Sequence, residues 1–263
     1  MKMKSFLLIL ITVLLLITTT LSAKARGIVF AFDKDHAPFS FIENGKPAGF
    51  DIDLLNPIFE GSKFGFVPTE FKWSDALVSL RKGAKVDLMS QIDKTPEREK
   101  IYDFSDEPYL IDEIRIFSKD KTISTFDDLV GKKVAVQKGS YYEEILKENE
   151  QITIVPTESE IDALDALDNN IVDAFVGPTS VAKYIIKKNG YEDIISADEP
   201  LEISYMYFAV DKGDKVLLEF INEGIQHLKD NGIYDEIHKK WFGKNEQKEE
   251  PGCGKPCNHP CGK

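Results

Sequence analysis

Arg98 stands where helix chemistry disfavours a cation. In Thr95-Pro96-Glu97-Arg98, Thr95 can cap a helix, Pro96 suits its first position and Glu97 favours the dipole. A guanidinium in that first turn opposes the dipole, and a bidentate bond to a carboxylate would compensate for it. The carboxylate belongs either to a bound solute or to Glu97, Asp93 or Asp103, because ion pairing alone is common on surfaces. Just upstream, Ser90, Gln91, Ile92 and Asp93 follow a short apolar run. Hydroxyls and amides at a strand end could hold a carboxylate or another polar group. Asp93 is either the partner of a cationic group or an anion favouring the helix start. A second candidate is Gly139-Ser140-Tyr141, where a strand gives way to a helix. Free amides at a helix N-terminus attract an anion or carbonyl, and glycine permits close backbone approach. Ser140 serves as N-cap with or without a ligand.

Parallel strands with intervening helices would position these residues. Apolar runs at 27–32, 64–71 and 86–90 read as strands, with helices from Asp51 toward Phe59 and from Ser74. Asp51 fits as the cap of the first helix, and Pro57 should kink or shorten it. Residues 33–44 read as a loop, with Pro38 and the Asn44-Gly45 turn signal. The βαβαβ order is the unit of a doubly wound sheet. A second series follows: strands at 133–137, 152–155 and 172–176, helices at 141–149, 158–168 and 179–188. Extended segments 113–117 and 203–210 bracket it, implying two crossings between lobes. The predicted class is therefore α/β and two-lobed, each lobe a mostly parallel sheet flanked by helices, with two crossover strands as hinge. Lobe 1 is expected to comprise 26–112 and 206–243, and lobe 2 to comprise 113–205. Helices at 216–229 and 234–242 close lobe 1, with Leu217, Phe220, Ile221, Ile225 and Leu228 forming a core stripe. In such sheets ligands sit outside the carboxyl ends of the strands, which places the site in the cleft between lobes.

The 263 residues carry 42% hydrophobic and 30% charged side chains, a globular balance. Lys2 and Lys4, an apolar run from Phe6 to Ile17 and Ala23-Lys24-Ala25 read as a cleaved signal peptide over 1–25. The run is short for a membrane span, which needs about 20 residues. The formal net charge is −12. Removing 1–25 removes three lysines and no acid, leaving 30 bases against 45 acids, or −15. Such a surface disfavours nucleic acid and anionic membranes as partners. All three cysteines lie in the tail, at 253, 257 and 261, so the body holds no disulfide. The tail, 244–263, reads as disordered. Its Cys253, Cys257, His259 and Cys261 either bind a soft metal or are passive or oxidisable, and neither a metal nor a cofactor is predicted for the body.

Several local motifs occur in a specific order: DKDHAPF (33–39), GFDIDL (49–54), TPER (95–98), Phe104-Ser105, Pro108-Tyr109, LVGKKVAV (129–136), QKGS (137–140), VDAF (172–175) and NGIYDEIHKKWFG (231–243). Together they resemble the family 3 extracellular solute-binding proteins, the amino-acid-binding group with the type 2 periplasmic-binding-protein fold, from Gly27 to Gly243. The resemblance implies a periplasmic monomer that captures a small polar solute and delivers it to an inner-membrane ABC permease. It implies that Arg98 holds a ligand α-carboxylate. His36 takes the place of a stacking aromatic ring and either contacts solute or is a surface loop histidine. Phe39 packs its loop or touches solute, and Trp73 is cleft wall or lobe core. Gln91 and Asp93 depart from the small residues usual there. Pro178 stands where many relatives place the aspartate that pairs with an α-ammonium, so that role would pass to Asp33 or Asp93. Asp173 matches a structural acid instead.

Two other functions remain open. Residues 87–98 resemble forms found in sensor-linked relatives, which favours a sensory module acting on a separate partner. A few resembling proteins are cyclohexadienyl dehydratases, but the body shows no nucleophile–base pair, so a non-enzyme is expected.

Overall fold

The computed structural model describes residues 26–81 and 85–243. The expected signal peptide (1–25) and cysteine tail (244–263) lie outside the described residues. From the N-terminus come β1 (Arg26–Phe32), β2 (Asp35–His36), β3 (Ser40–Glu43), β4 (Lys46–Ala48), α1 (Phe50–Phe59), β5 (Phe64–Glu70), α2 (Trp73–Arg81), β6 (Leu88–Asp93), α3 (Pro96–Glu99), β7 (Tyr102–Phe104) and β8 (Leu110–Ser118). A 3₁₀ turn at Asp127–Leu129 precedes β9 (Lys133–Gln137), α4 (Tyr141–Leu146), β10 (Thr153–Thr157), α5 (Glu160–Asp168), β11 (Ala174–Pro178), α6 (Thr179–Asn189), β12 (Ile195–Ser196), β13 (Glu202–Asp211), α7 (Lys215–Asp230) and α8 (Ile233–Phe242).

One mixed sheet runs β10-β9-β11-β8-β13-β6-β1-β5, with β12 beside β8 and β7 beside β13. At one end β1 pairs in parallel with β5 and β6. At the other, β9 pairs in parallel with β10 and β11. The middle is antiparallel: β8 and β13 pair from Glu202 opposite Ile114 to Met206 opposite Leu110. Two parallel βα halves thus hang on one antiparallel pair of long strands, the two-lobed arrangement predicted. Among the described residues no helix is long and apolar enough to cross a membrane.

Local sequence explains most elements. Leu217, Leu218, Ile221, Ile225 and Leu228 give α7 its buried face, and Gly232, at φ +72°, makes the tight link to α8. The stretch read as a loop, 33–44, is instead the start of a three-stranded antiparallel sheet, β2-β3-β4. Asn44 and Gly45 both take positive φ in the two-residue turn joining β3 and β4, as Asn-Gly favours. The helix α1 runs two residues past Pro57 and stops, so the proline shortens it.

Asp51 is not a cap. Gly49 holds that position and no side chain caps α1. The Asp51 side chain is fully buried, accepting from Ser90, Gln91 and Tyr109. Beside it Phe50 packs against Tyr109, Tyr234, His238 and Phe242.

Candidate functional site

The residues at and after the ends of β1, β5, β6, β9 and β11 converge on a narrow cleft. These are the carboxyl ends of parallel strands, where open α/β sheets bind ligands. Of the predicted residues, His36, Trp73, Gln91, Asp93, Ser140 and Tyr141 line it. Asp33 and Ser90 line a smaller adjoining space with His36, Trp73 and Gln91.

Contacts from one half to the other hold the cleft. Trp73 Nε1 donates to Gly139 O at 3.2 Å. Arg98 Nη2 donates to the same oxygen at 3.2 Å and to Glu144 Oε1 at 3.4 Å, while Nη1 donates to Asp93 O at 3.1 Å. Its backbone N–H is taken by the Thr95 cap, as predicted. Arg98 is buried and bridges the two halves without lining the cleft. Its distance to the Asp93 carboxylate is 4.0 Å, too long for a hydrogen bond. Gln137 Nε2 donates to Asp33 Oδ2 at 3.1 Å. His36 Nδ1 lies 3.2 Å from Glu160 Oε1, so this histidine is no surface group.

Gly139 takes φ +81°, and a Cβ there would lie 3.5 Å from Leu77 Cδ1 on α2. That distance is ordinary contact, so it is the positive φ of this turn that favours glycine. Ser140 caps α4 by accepting from Glu143 N at 3.2 Å. Phe39 is wholly buried, against Phe242 and the His36 ring, and does not line the cleft; it is core. Pro178 lines the cleft and ends β11 beside α6. Asp173 is structural, accepting from Lys133 N at 2.8 Å.

The electrostatics are those of crowded acids. Burial and the Glu160 carboxylate push Asp33 up to about 6. Burial raises Asp93, against a hydrogen bond from Ser204 Oγ at 2.6 Å and the Arg98 charge. Burial pushes Asp51 up to about 6, although Ser90, Gln91 and Tyr109 all donate to it. Burial would lower His36, but Glu160 outweighs it and raises the imidazole to about 9. Among the described residues, two buried acceptors here lack a hydrogen-bond partner, Gln91 Oε1 and Glu160 Oε2. No cluster suited to a metal occurs among them.

Asp51, Glu160, Gln137, Tyr142 and Ser204 were not predicted for the site. Asp51 had a signal, since it interrupts the apolar run of Phe50, Ile52, Leu54 and Leu55. Glu160 reads from sequence as an ordinary first-turn acid of α5, and its meeting with His36 is wholly tertiary.

The chain is similar to known proteins over nearly its whole described length. The model of the family described as "Bacterial extracellular solute-binding proteins, family 3" matches residues 28–244. The L-cystine-binding protein TcyJ of Escherichia coli (strain K12) is 31% identical over 229 residues, 84% of each chain. An ancestral arginine-binding protein bound to arginine superposes with TM-score 0.78 at 32% identity, covering 84% of this chain and all of that one. A histidine kinase sensor domain with similarity to periplasmic binding proteins also gives 0.78, at 30% identity, covering 83% of this chain and 96% of that one.

Proposed function

The chain belongs to the bacterial extracellular solute-binding proteins, family 3, and from that premise we propose that it captures an amino acid with a cationic group in the cleft and delivers it to an ABC permease. The observation that carries the choice of a cation is the surplus of acceptors. Asp33, Asp93 and Gln91 Oε1 lie in or against the cleft, Glu160 Oε2 lies behind the His36 that lines it, and burial has raised both aspartates. A cation among them favours the ionised carboxylates and reverses those shifts. Trp73, Tyr141 and Tyr142 add aromatic walls suited to a cation or its alkyl stem. The arginine-bound relative fits this chemistry.

In this reading the solute carboxylate reaches past the lining residues to Arg98, beside the turn at Gly139 and Ser140. Asp93 takes the ammonium, because Pro178 offers neither charge nor N–H. The lobes are 26–112 with 206–243, and 113–205. Residues 1–25 are removed on export to the periplasm, and the protein works as a monomer without turning over its solute. A second reading, ligand sensing for a signalling partner, draws on the likeness to the kinase sensor domain.

Calorimetric titration and thermal melts with L-arginine, L-lysine, L-histidine, L-cystine, L-glutamine and L-glutamate test the proposal. A basic amino acid at about 1,000 times its Kd should add about 4 kcal/mol of stability, while L-glutamate leaves the melt unchanged. Tighter binding of L-glutamate than of every basic amino acid, or no binding at all, contradicts it.

A further inference from the structure

Gln91 is the extra residue of a β-bulge. β6 and β13 pair Ile92 with Tyr207 and Met89 with Ala209, so Ser90 and Gln91 together oppose Phe208. Gln91 takes φ +62°, uncommon for a residue with a side chain. Bulges re-aim side chains next to sites, and this one brings the side-chain amide against Asp51 and Tyr109. There Nε2 lies 3.2 and 3.1 Å from the two Asp51 carboxylate oxygens and 2.5 Å from Tyr109 Oη.

The chemistry of these neighbours fixes which way the amide faces. Asp51 accepts from Ser90 Oγ at 2.7 Å and from Tyr109 Oη at 2.9 Å. The single phenolic proton is thus committed to Asp51, and Tyr109 oxygen can only accept from Gln91. Both partners on that side require a donor. A reversed amide would set a carbonyl oxygen against a carboxylate. The other atom, Oε1, is therefore the one left over, buried and without a partner, on a residue that is 8% exposed and lines the cleft. A buried carbonyl so placed is costly until a donor reaches it.

We infer that Gln91 Oε1 accepts an N–H from the bound cation, and that Asp51, which does not touch the solute, positions it by holding the amide nitrogen. The inference rests on the cationic-solute reading above and names the residue that enforces it. Tyr109 and Ser90 complete the support. A solute presenting an oxygen at that point meets a fixed acceptor and is rejected.

Calorimetry on the full chain, with the tightest binder among L-arginine, L-lysine and L-histidine, tests this through paired variants. Gln91→Met should weaken binding about tenfold, the worth of one hydrogen bond. Asp51→Asn should weaken it to a similar extent, because asparagine offers an N–H of its own and lets the Gln91 amide turn. In the Gln91→Met background, Asp51→Asn should add less than about twofold, since a positioning residue has nothing left to position. The Gln91 side-chain amide resonance should shift on titration in the wild type and much less in Asp51→Asn. Should Asp51→Asn not fold, Gln91→Met and the wild-type amide resonance carry the test, and a Gln91 amide resonance unmoved by a solute that binds overturns the inference. Wild-type affinity in Gln91→Met, or equal losses from Asp51→Asn in both backgrounds, overturns the inference. No binding of any of the three to the wild type instead removes the cationic-solute reading, and this inference with it.

Discussion

Arg98 donates to carbonyls on both sides of the cleft, Asp93 O and Gly139 O. Arg98→Ala therefore removes a candidate solute contact together with a bridge between halves. It should weaken binding of a basic amino acid by about 10- to 100-fold, as for hydrogen bonds to a charged group, and lower the melting temperature measurably. Arg98→Lys should recover part of the stability but little affinity, because an ammonium lacks the planar fork. Unchanged affinity in Arg98→Ala by calorimetry makes the residue purely structural. Sequence made Arg98 conspicuous through its misfit with the dipole, but left its partner open between solute and nearby acids. The bridging partners, Gly139 and Glu144, lie more than forty residues away and are set by how the halves meet. His36 was equally open until Glu160 came beside it. Phe39 differs: its ring lies in the core under α8, a contact over two hundred residues distant that no local pattern encodes.

Elements were easier to read than partners. The strand at 133–137 matches β9, and the predicted stripe on α7 is buried except for Phe220, which is half-buried while Leu218 joins the buried face. The miss at 33–44 has a physical cause, since strands of two to four residues carry too little alternation to reveal themselves. That small sheet matters because it carries His36 and docks on the start of α1. Phe50 N donates to Pro38 O and Asp51 N to Phe39 O. Gly49 makes the approach possible: at φ +126° a Cβ would sit 2.2 Å from Phe39 O. Gly49→Ala should cost several kcal/mol by chemical denaturation, beyond the strain of one unfavourable backbone conformation, and should weaken binding by displacing His36 and Asp51. A variant within about 0.5 kcal/mol of wild type shows that the junction yields.

At the scale of the whole molecule, buried titratable groups set the pH response. Asp33, Asp51 and Asp112 are pushed up to about 6 by burial, above an ordinary 3.8. His36 is raised to about 9 from 6.5. A group whose folded value is raised contributes fully below its unfolded value, and that contribution is lost as pH rises through the folded one. The acids act between about 4 and 6, and His36 between about 6.5 and 9. Asp103, held down to about 2 by Lys212 and Lys215 against burial, works the other way, keeping its contribution above 3.8 and losing it as pH falls toward 2. Melting temperature should therefore be highest near pH 4 to 5 and decline toward pH 9, and His36→Gln should flatten the upper part. A melting temperature that rises from pH 5 to 9 contradicts these environments. The two-lobed plan was legible from strand order, yet the continuous sheet through β8 and β13 was not, because antiparallel pairing across the chain's two crossings leaves no periodic mark.

The oxygen of Gly139 takes N–H groups from both Trp73 and Arg98, each at 3.2 Å. A peptide carbonyl is thus a resident competitor for the same donors that an incoming carboxylate would seek. In the proposed reading, a solute carboxylate that takes over this bond gains only the margin between a carboxylate and an amide oxygen. Feeble acceptors would lose that contest to the protein's own backbone, which on this reading sets a threshold as well as a preference.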